Sequence, residues 1–143
     1  MTRIDFYLLT STDPGLRLDY ACRLAHKAWI KGHRVYLNCT DAEQAETLDR
    51  LLWCFRADSF LPHGLATDDP AQAVVCGHGE PHAAHNDLLI NLADNTAESF
   101  SRFNRLAEIV VENDPIRLPA RERFRFYRER GYPLQTHQIR TAG

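Results

Sequence analysis

The 143-residue sequence predicts an α/β fold: a single Rossmann-like domain over residues 1–143, built on a mostly parallel sheet with helices on both faces and ending in a basic C-terminal helix. Three observations carry this. Short apolar runs rich in strand formers alternate with stretches of helical periodicity. Strand, helix, strand and helix follow one another within the first 55 residues, the order of right-handed crossovers in a parallel sheet. Residues 107–112 (AEIVVE) read as a strand buried on both faces, continuous and β-branched.

Residues 4–9 (IDFYLL) form the first strand, followed by the polar turn Thr10 to Gly15. From Leu16 to Lys31, Leu16, Tyr20, Leu24 and Ala28 recur at helical steps beside Ala21 and Ala25, and Lys31-Gly32 ends the helix. Residues 34–39 are a second strand. Thr40 and Asp41 offer a cap to a second helix through Ala42, Ala45, Leu48, Leu51 and Leu52, reaching about Trp53. Residues 74–76 and 87–92 are candidate strands, and residues 97–103 a short helix. Asp114 and Pro115 introduce the last helix, from about Ile116 to Arg130, with Pro119 in its first turn and regular helix starting there. Gly131 ends it, and Tyr132-Pro133-Leu134 leaves extended.

Composition excludes several classes. A hydrophobic fraction of 44%, a charged fraction of 25% and a net charge of −2 fit a soluble globular chain and argue against general attraction to nucleic acid or membrane. No membrane span and no secretory leader are expected, and the four separated cysteines (Cys22, Cys39, Cys54, Cys76) fit free, mostly buried thiols in the cytoplasm. The first strand-to-helix loop has one glycine and a proline, not the glycines that let backbone amides approach phosphate. Cys76, His78, His82 and His85 put four possible zinc ligands into ten residues, but the spacing matches no paired-ligand pattern, and a solvated loop is expected. Asp13 and Asp19 read as cap and surface. The expectation is no catalytic residue, no cofactor and no metal; a small nucleotide- or metal-dependent α/β enzyme is the alternative.

Two stretches remain. Residues 52–63 carry Trp53, Phe55 and Phe60 in what should be a polar connection, so this loop either folds into the core or presents an aromatic surface to a partner. In the last helix, residues 116–130 hold six arginines against two glutamates. Arg117, Arg121, Phe124 and Arg128 fall on one face, Arg125 borders it, and Leu118, Phe126 and Tyr127 point to other sides where core packing is expected. That face is either solvated, with its arginines paired to Glu122 and Glu129, or an anion-binding stripe around an aromatic. The second suits a short acidic peptide with a hydrophobic end and a free carboxylate.

Phe6-Tyr7-Leu8-Leu9, Gly32-His33-Arg34-Val35, Leu51-Leu52-Trp53, Ser59-Phe60-Leu61-Pro62-His63 and Ala120-Arg121-Glu122-Arg123 occur in this order and at these separations. Together they resemble the chi subunit family of bacterial DNA polymerase III holoenzyme over nearly the full length. The resemblance implies a non-catalytic adaptor in DNA replication, joined to the clamp-loader complex through the psi subunit and contacting DNA mainly indirectly. It also implies binding to the acidic, hydrophobic-ended C-terminal tail of single-stranded DNA-binding protein. It maps the psi-binding surface to Trp53, Phe60, Leu61, Pro62 and His63, a surface that some members use for a helicase, and leaves Phe55 open. The tail site maps to Arg117, Arg121, Phe124 and Arg125, and helical spacing adds Arg128. Where the family carries lysine and tyrosine, this chain has Arg117 and Phe124, keeping the charge without the phenol hydroxyl.

Overall fold

A computed structural model describes residues 1–54 and 61–141. Among these residues seven strands form one wholly parallel sheet: β1 (Arg3–Leu9), β2 (Val35–Asn38), β3 (His63–Leu65), β4 (Val74–Gly77), β5 (Leu88–Asn91), β6 (Arg105–Val110) and β7 (Leu134–Ile139). Their order across the sheet is β3-β4-β2-β5-β6-β1-β7, so β3 and β7 are the edges. The helices are α1 (Pro14–Ile30), α2 (Ala42–Cys54) and α3 (Asp114–Glu129), and one 3₁₀ turn spans Phe100–Arg102.

Strand alternation divides the interior in two. Val35, Leu37, Val74, Cys76, Leu88, Ile90, Ala107 and Ile109 pack with α1 and α2 through Ala21, Ala25, Leu48 and Leu52. Ile4, Phe6, Tyr36, Val75, Leu89, Leu106 and Val110 face the other way, toward Ala120 and Tyr127 of α3 and toward Phe100 and Phe103. Caps fix the helix starts: Asp13 Oδ1 accepts from Gly15 N–H (2.8 Å) and Asp41 Oδ1 from Gln44 N–H (2.8 Å). Gly32 and Gly131 take positive φ (+88° and +80°) just past α1 and α3, where a side chain would be strained. Arg17 is buried within α1 and donates to Ile109 O (2.7 Å) and Leu92 O (3.3 Å), tying the helix to the strand ends; burial lowers its pKa to about 10.

Several expectations need correction. The two edge strands were not anticipated: β3 begins at His63, the last residue of the stretch read as an aromatic loop, and β7 extends the segment read only as an extended exit. α3 starts at Asp114, so Pro119 sits inside it rather than opening it. Residues 97–103 form only a single 3₁₀ turn. Leu118 and Phe126, expected to pack inward, are 50% and 37% exposed, whereas Tyr127 is fully buried. The inward face of α3 is Ala120, Arg123 and Tyr127, and the helical repeat puts Leu118 on the opposite side and Phe126 at its flank.

The tract from Cys76 to His85 is less solvated than expected. Cys76 is buried in β4, and His85 is buried with its Nε2 2.7 Å from Gln72 O. His78 and His82 are exposed, and among the described residues no three of His, Cys, Asp and Glu are grouped to hold a metal ion. No described helix is long and apolar enough to cross a membrane.

Candidate peptide-binding site

α3 lies across β6 and leaves a groove between itself and β1 and β7. Its floor is Phe6 and Leu8 of β1, Val110 of β6, and Thr136 and Gln138 of β7; its wall is Arg117, Ala120, Arg121 and Phe124 of α3. The volume is about 370 Å³. Register explains the floor: Phe6 pairs with Thr136 and Leu8 with Gln138, so all four side chains leave the sheet on the α3 side. Phe124 packs edge-on against Phe6, with ring centroids 5.1 Å apart. The guanidinium of Arg128 stands 5.9 Å from the Phe124 ring, within cation–π range.

The arginines divide into two groups. Arg117 is paired with Asp114 through Nη2, and Arg125 with Glu122 at 3.5 Å. Among the described residues neither Arg121 nor Arg128 has an acidic partner within ion-pair distance. Arg117 Nε is buried without a hydrogen-bond partner, and such a donor costs about 1–3 kcal/mol until an acceptor reaches it. The basic residues of the lining, Arg117 and Arg121, are both on the α3 wall, and its one carboxylate, Glu112, lies at the β6 end. Arg117, Arg121 and Phe124 therefore line one cavity, Arg128 backs it, and Arg125 lies outside its lining.

What holds α3 in place was missed in the sequence. Glu108 of β6 is fully buried. It accepts from Arg123 Nε (2.9 Å), Arg123 Nη2 (3.0 Å), the Tyr127 hydroxyl (2.7 Å) and Asn91 Nδ2 (3.1 Å). Arg123 Nη1 donates to Asp94 O (2.6 Å), and Asn38 Nδ2 donates to Asn91 Oδ1 (2.9 Å). Burial works to lower the pKa of Arg123, but the Glu108 carboxylate outweighs it and the net direction is upward. Burial, then the same carboxylate, raises that of Tyr127. A glutamate inside an apolar strand, with an arginine and a tyrosine four apart on the next helix, was the available signal.

At the opposite edge, Trp53 is 66% exposed at the end of α2. Its ring meets His63 at 4.6 Å in a T-shaped contact. His63 is buried, with Nδ1 2.8 Å from Leu61 O and Nε2 3.2 Å from Asp49 O. Leu61 is buried and Pro62 exposed. Of the five residues assigned to this surface, Trp53 and Pro62 thus face solvent, while Leu61 and His63 lie beneath them. Phe60, and with it Phe55, falls outside the described residues.

Comparison with known proteins identifies the family. Residues 1–135 match the family described as DNA polymerase III chi subunit, HolC. The chain belongs to the chi subunit family. It is 52% identical over 139 residues to DNA polymerase III subunit chi of Pseudomonas aeruginosa, covering 97% of this chain and 98% of that one. With subunit chi of Escherichia coli (strain K12) it shares 34% over 143 residues, 95% of this chain and 97% of the other. With that of Haemophilus influenzae it shares 31% over 137 residues, 94% and 95% respectively. Membership in the chi family places the chain among the subunits of DNA polymerase III, in DNA replication.

Proposed function

We propose that this chi-family chain is a non-catalytic adaptor that joins the psi subunit, and through it the clamp loader, to the C-terminal tail of single-stranded DNA-binding protein. The observation that carries the tail reading is the groove under α3, where an apolar floor meets the Arg121 guanidinium, which has no acidic partner among the described residues, and the buried, unsatisfied Nε of Arg117. A peptide ending in a hydrophobic residue can bury that side chain against Phe6, Leu8 and Phe124. Its terminal carboxylate and nearby acidic side chains then meet Arg121 and Arg117, whose planar donors suit carboxylates. An exposed ion pair alone contributes about 0.2–1 kcal/mol, but several around a desolvated anchor reach micromolar affinity, roughly 8 kcal/mol.

The psi reading rests on Trp53, an exposed indole at the end of α2 whose ring packs against buried His63. A large, rigid aromatic at the end of a helix is the usual anchor of a protein interface. A pull-down with psi tests it. Trp53→Ala is expected to lose psi while retaining its fold and its binding to an acidic tail peptide. Loss of fold and peptide binding together would make Trp53 a packing residue and contradict the assignment.

A further inference from the structure

β7 is an edge of the sheet, and among the described residues no strand lies on its outer side. Edge strands are usually blunted by lysine, proline, a bulge or a cover. β7 (LQTHQI) has neither lysine nor proline and pairs with β1 in unbroken register, from Ile4↔Leu134 to Leu9↔Ile139. Ile4 N–H donates to Pro133 O and Thr10 N–H to Ile139 O, both at 3.0 Å. Peptide groups of successive strand residues turn to opposite sides. The odd-numbered residues of β7 therefore bond β1, and the N–H and C=O groups of Leu134, Thr136 and Gln138 point to the open edge. β1 follows the same alternation: its even-numbered residues face β7, and on its other side the odd-numbered Arg3 N–H donates to Asn104 O (3.0 Å).

The side chains of Thr136 and Gln138 line the groove. The same residues thus offer free backbone groups at the edge and side chains at the groove's floor. Apart from Glu112 at the β6 end of the groove, the charges nearby favour an acidic occupant. β7 carries no carboxylate, Arg140 follows it, Arg3 Nη2 reaches Gln135 Oε1 at 2.8 Å, and Arg117 and Arg121 stand across the groove. The nearest β1 acid, Asp5, is buried and already bonded to His137 and Arg105.

We propose that the free edge of β7 takes the extended backbone of an acidic peptide as an added strand, while the peptide's apolar end seats in the groove beside Phe124. This rests on the peptide reading of the groove and adds its binding mode. Main-chain hydrogen bonds along Leu134, Thr136 and Gln138 supply affinity without depending on the peptide's exact side chains, and the groove and arginines select its end and its charge.

The test is a titration of the full chain with an acidic peptide ending in Asp-Phe, as the plain peptide and as a version N-methylated at alternate amides upstream of the end. Gln138→Pro is titrated alongside: it removes an outward N–H, which a proline on an edge strand can do without touching the β1 ladder. The inference predicts that the methylated peptide, and the plain peptide on Gln138→Pro, bind about tenfold more weakly. These losses persist at high salt, unlike that of Arg121→Ala. Methylation alters no protein atom, so that arm holds even if Gln138→Pro fails to fold. Equal affinity for plain and methylated peptides, with Arg121→Ala still weakening both, overturns strand addition and leaves the groove reading standing. No binding of the plain peptide overturns both.

Discussion

Glu108 and Arg123 form a buried ion pair between the sheet and the helix that walls the groove, with side-chain exposures of 0% and 6%. Removing one partner strands the other charge in the interior, so Arg123→Ala is expected to cost about 3–5 kcal/mol in urea unfolding. Replacing both by apolar residues of similar volume is expected to cost much less. A second residue-scale prediction concerns His85. Burial lowers its pKa; the bond to Gln72 O opposes this, and Arg34, His82 and Arg102 push it further down. Unfolded, the ring titrates near 6.5, so below that pH the unfolded chain binds more protons than the folded one. Stability should therefore fall as pH drops from about 7 toward 5, and His85→Asn should flatten that slope in urea midpoints. An unchanged slope would show that other groups carry it. His63 allows a third test. His63→Ala removes the support beneath Trp53 and is expected to weaken psi capture with Trp53 itself intact.

At the scale of elements, α3 and β7 shape the groove, and they show what the sequence does and does not reveal. The helical face Arg117, Arg121, Phe124 and Arg128 was legible because a period of 3.6 residues depends only on spacing. The floor was not, because it comes mainly from β1 and β7, which are 125 residues apart from Leu9 to Leu134 and meet only through register. β7 itself was hidden because LQTHQI lacks both a continuous apolar run and a clean alternation, as suits an edge strand half open to water. Leu118 and Phe126 were misplaced because apolar character was taken to mean burial, whereas the inward face of α3 is Ala120, Arg123 and Tyr127. The start of α3 was misplaced because Pro119 was taken as a first-turn residue. An interior proline removes one hydrogen bond of the helix ladder. Pro119→Ala is accordingly expected to stabilise the fold by about 1–3 kcal/mol, seen as a raised thermal midpoint. An unchanged or lowered midpoint would show that the helix has fully accommodated the ring.

Across the whole molecule, the two proposed partner sites sit at opposite edges of one sheet. Trp53 packs on His63 of β3, and the groove lies beside β7. Six strand spacings separate these edges in the sheet order, roughly 29 Å at the usual inter-strand distance. Sites so far apart with no shared side chain should act independently. An adaptor needs that property, because it must hold two partners at once. Trp53→Ala and Arg121→Ala should each affect one partner alone, and their double variant should show the simple sum.

The most direct test is an equilibrium titration of the acidic peptide ending in Asp-Phe against the wild-type chain, Arg121→Ala and Trp53→Ala, at low and high salt. Micromolar binding to wild type and to Trp53→Ala is expected. Arg121→Ala should bind about tenfold more weakly, by a difference that shrinks as salt is raised. Equal binding by wild type and Arg121→Ala, or no binding by either, would contradict the groove under α3 as the peptide site.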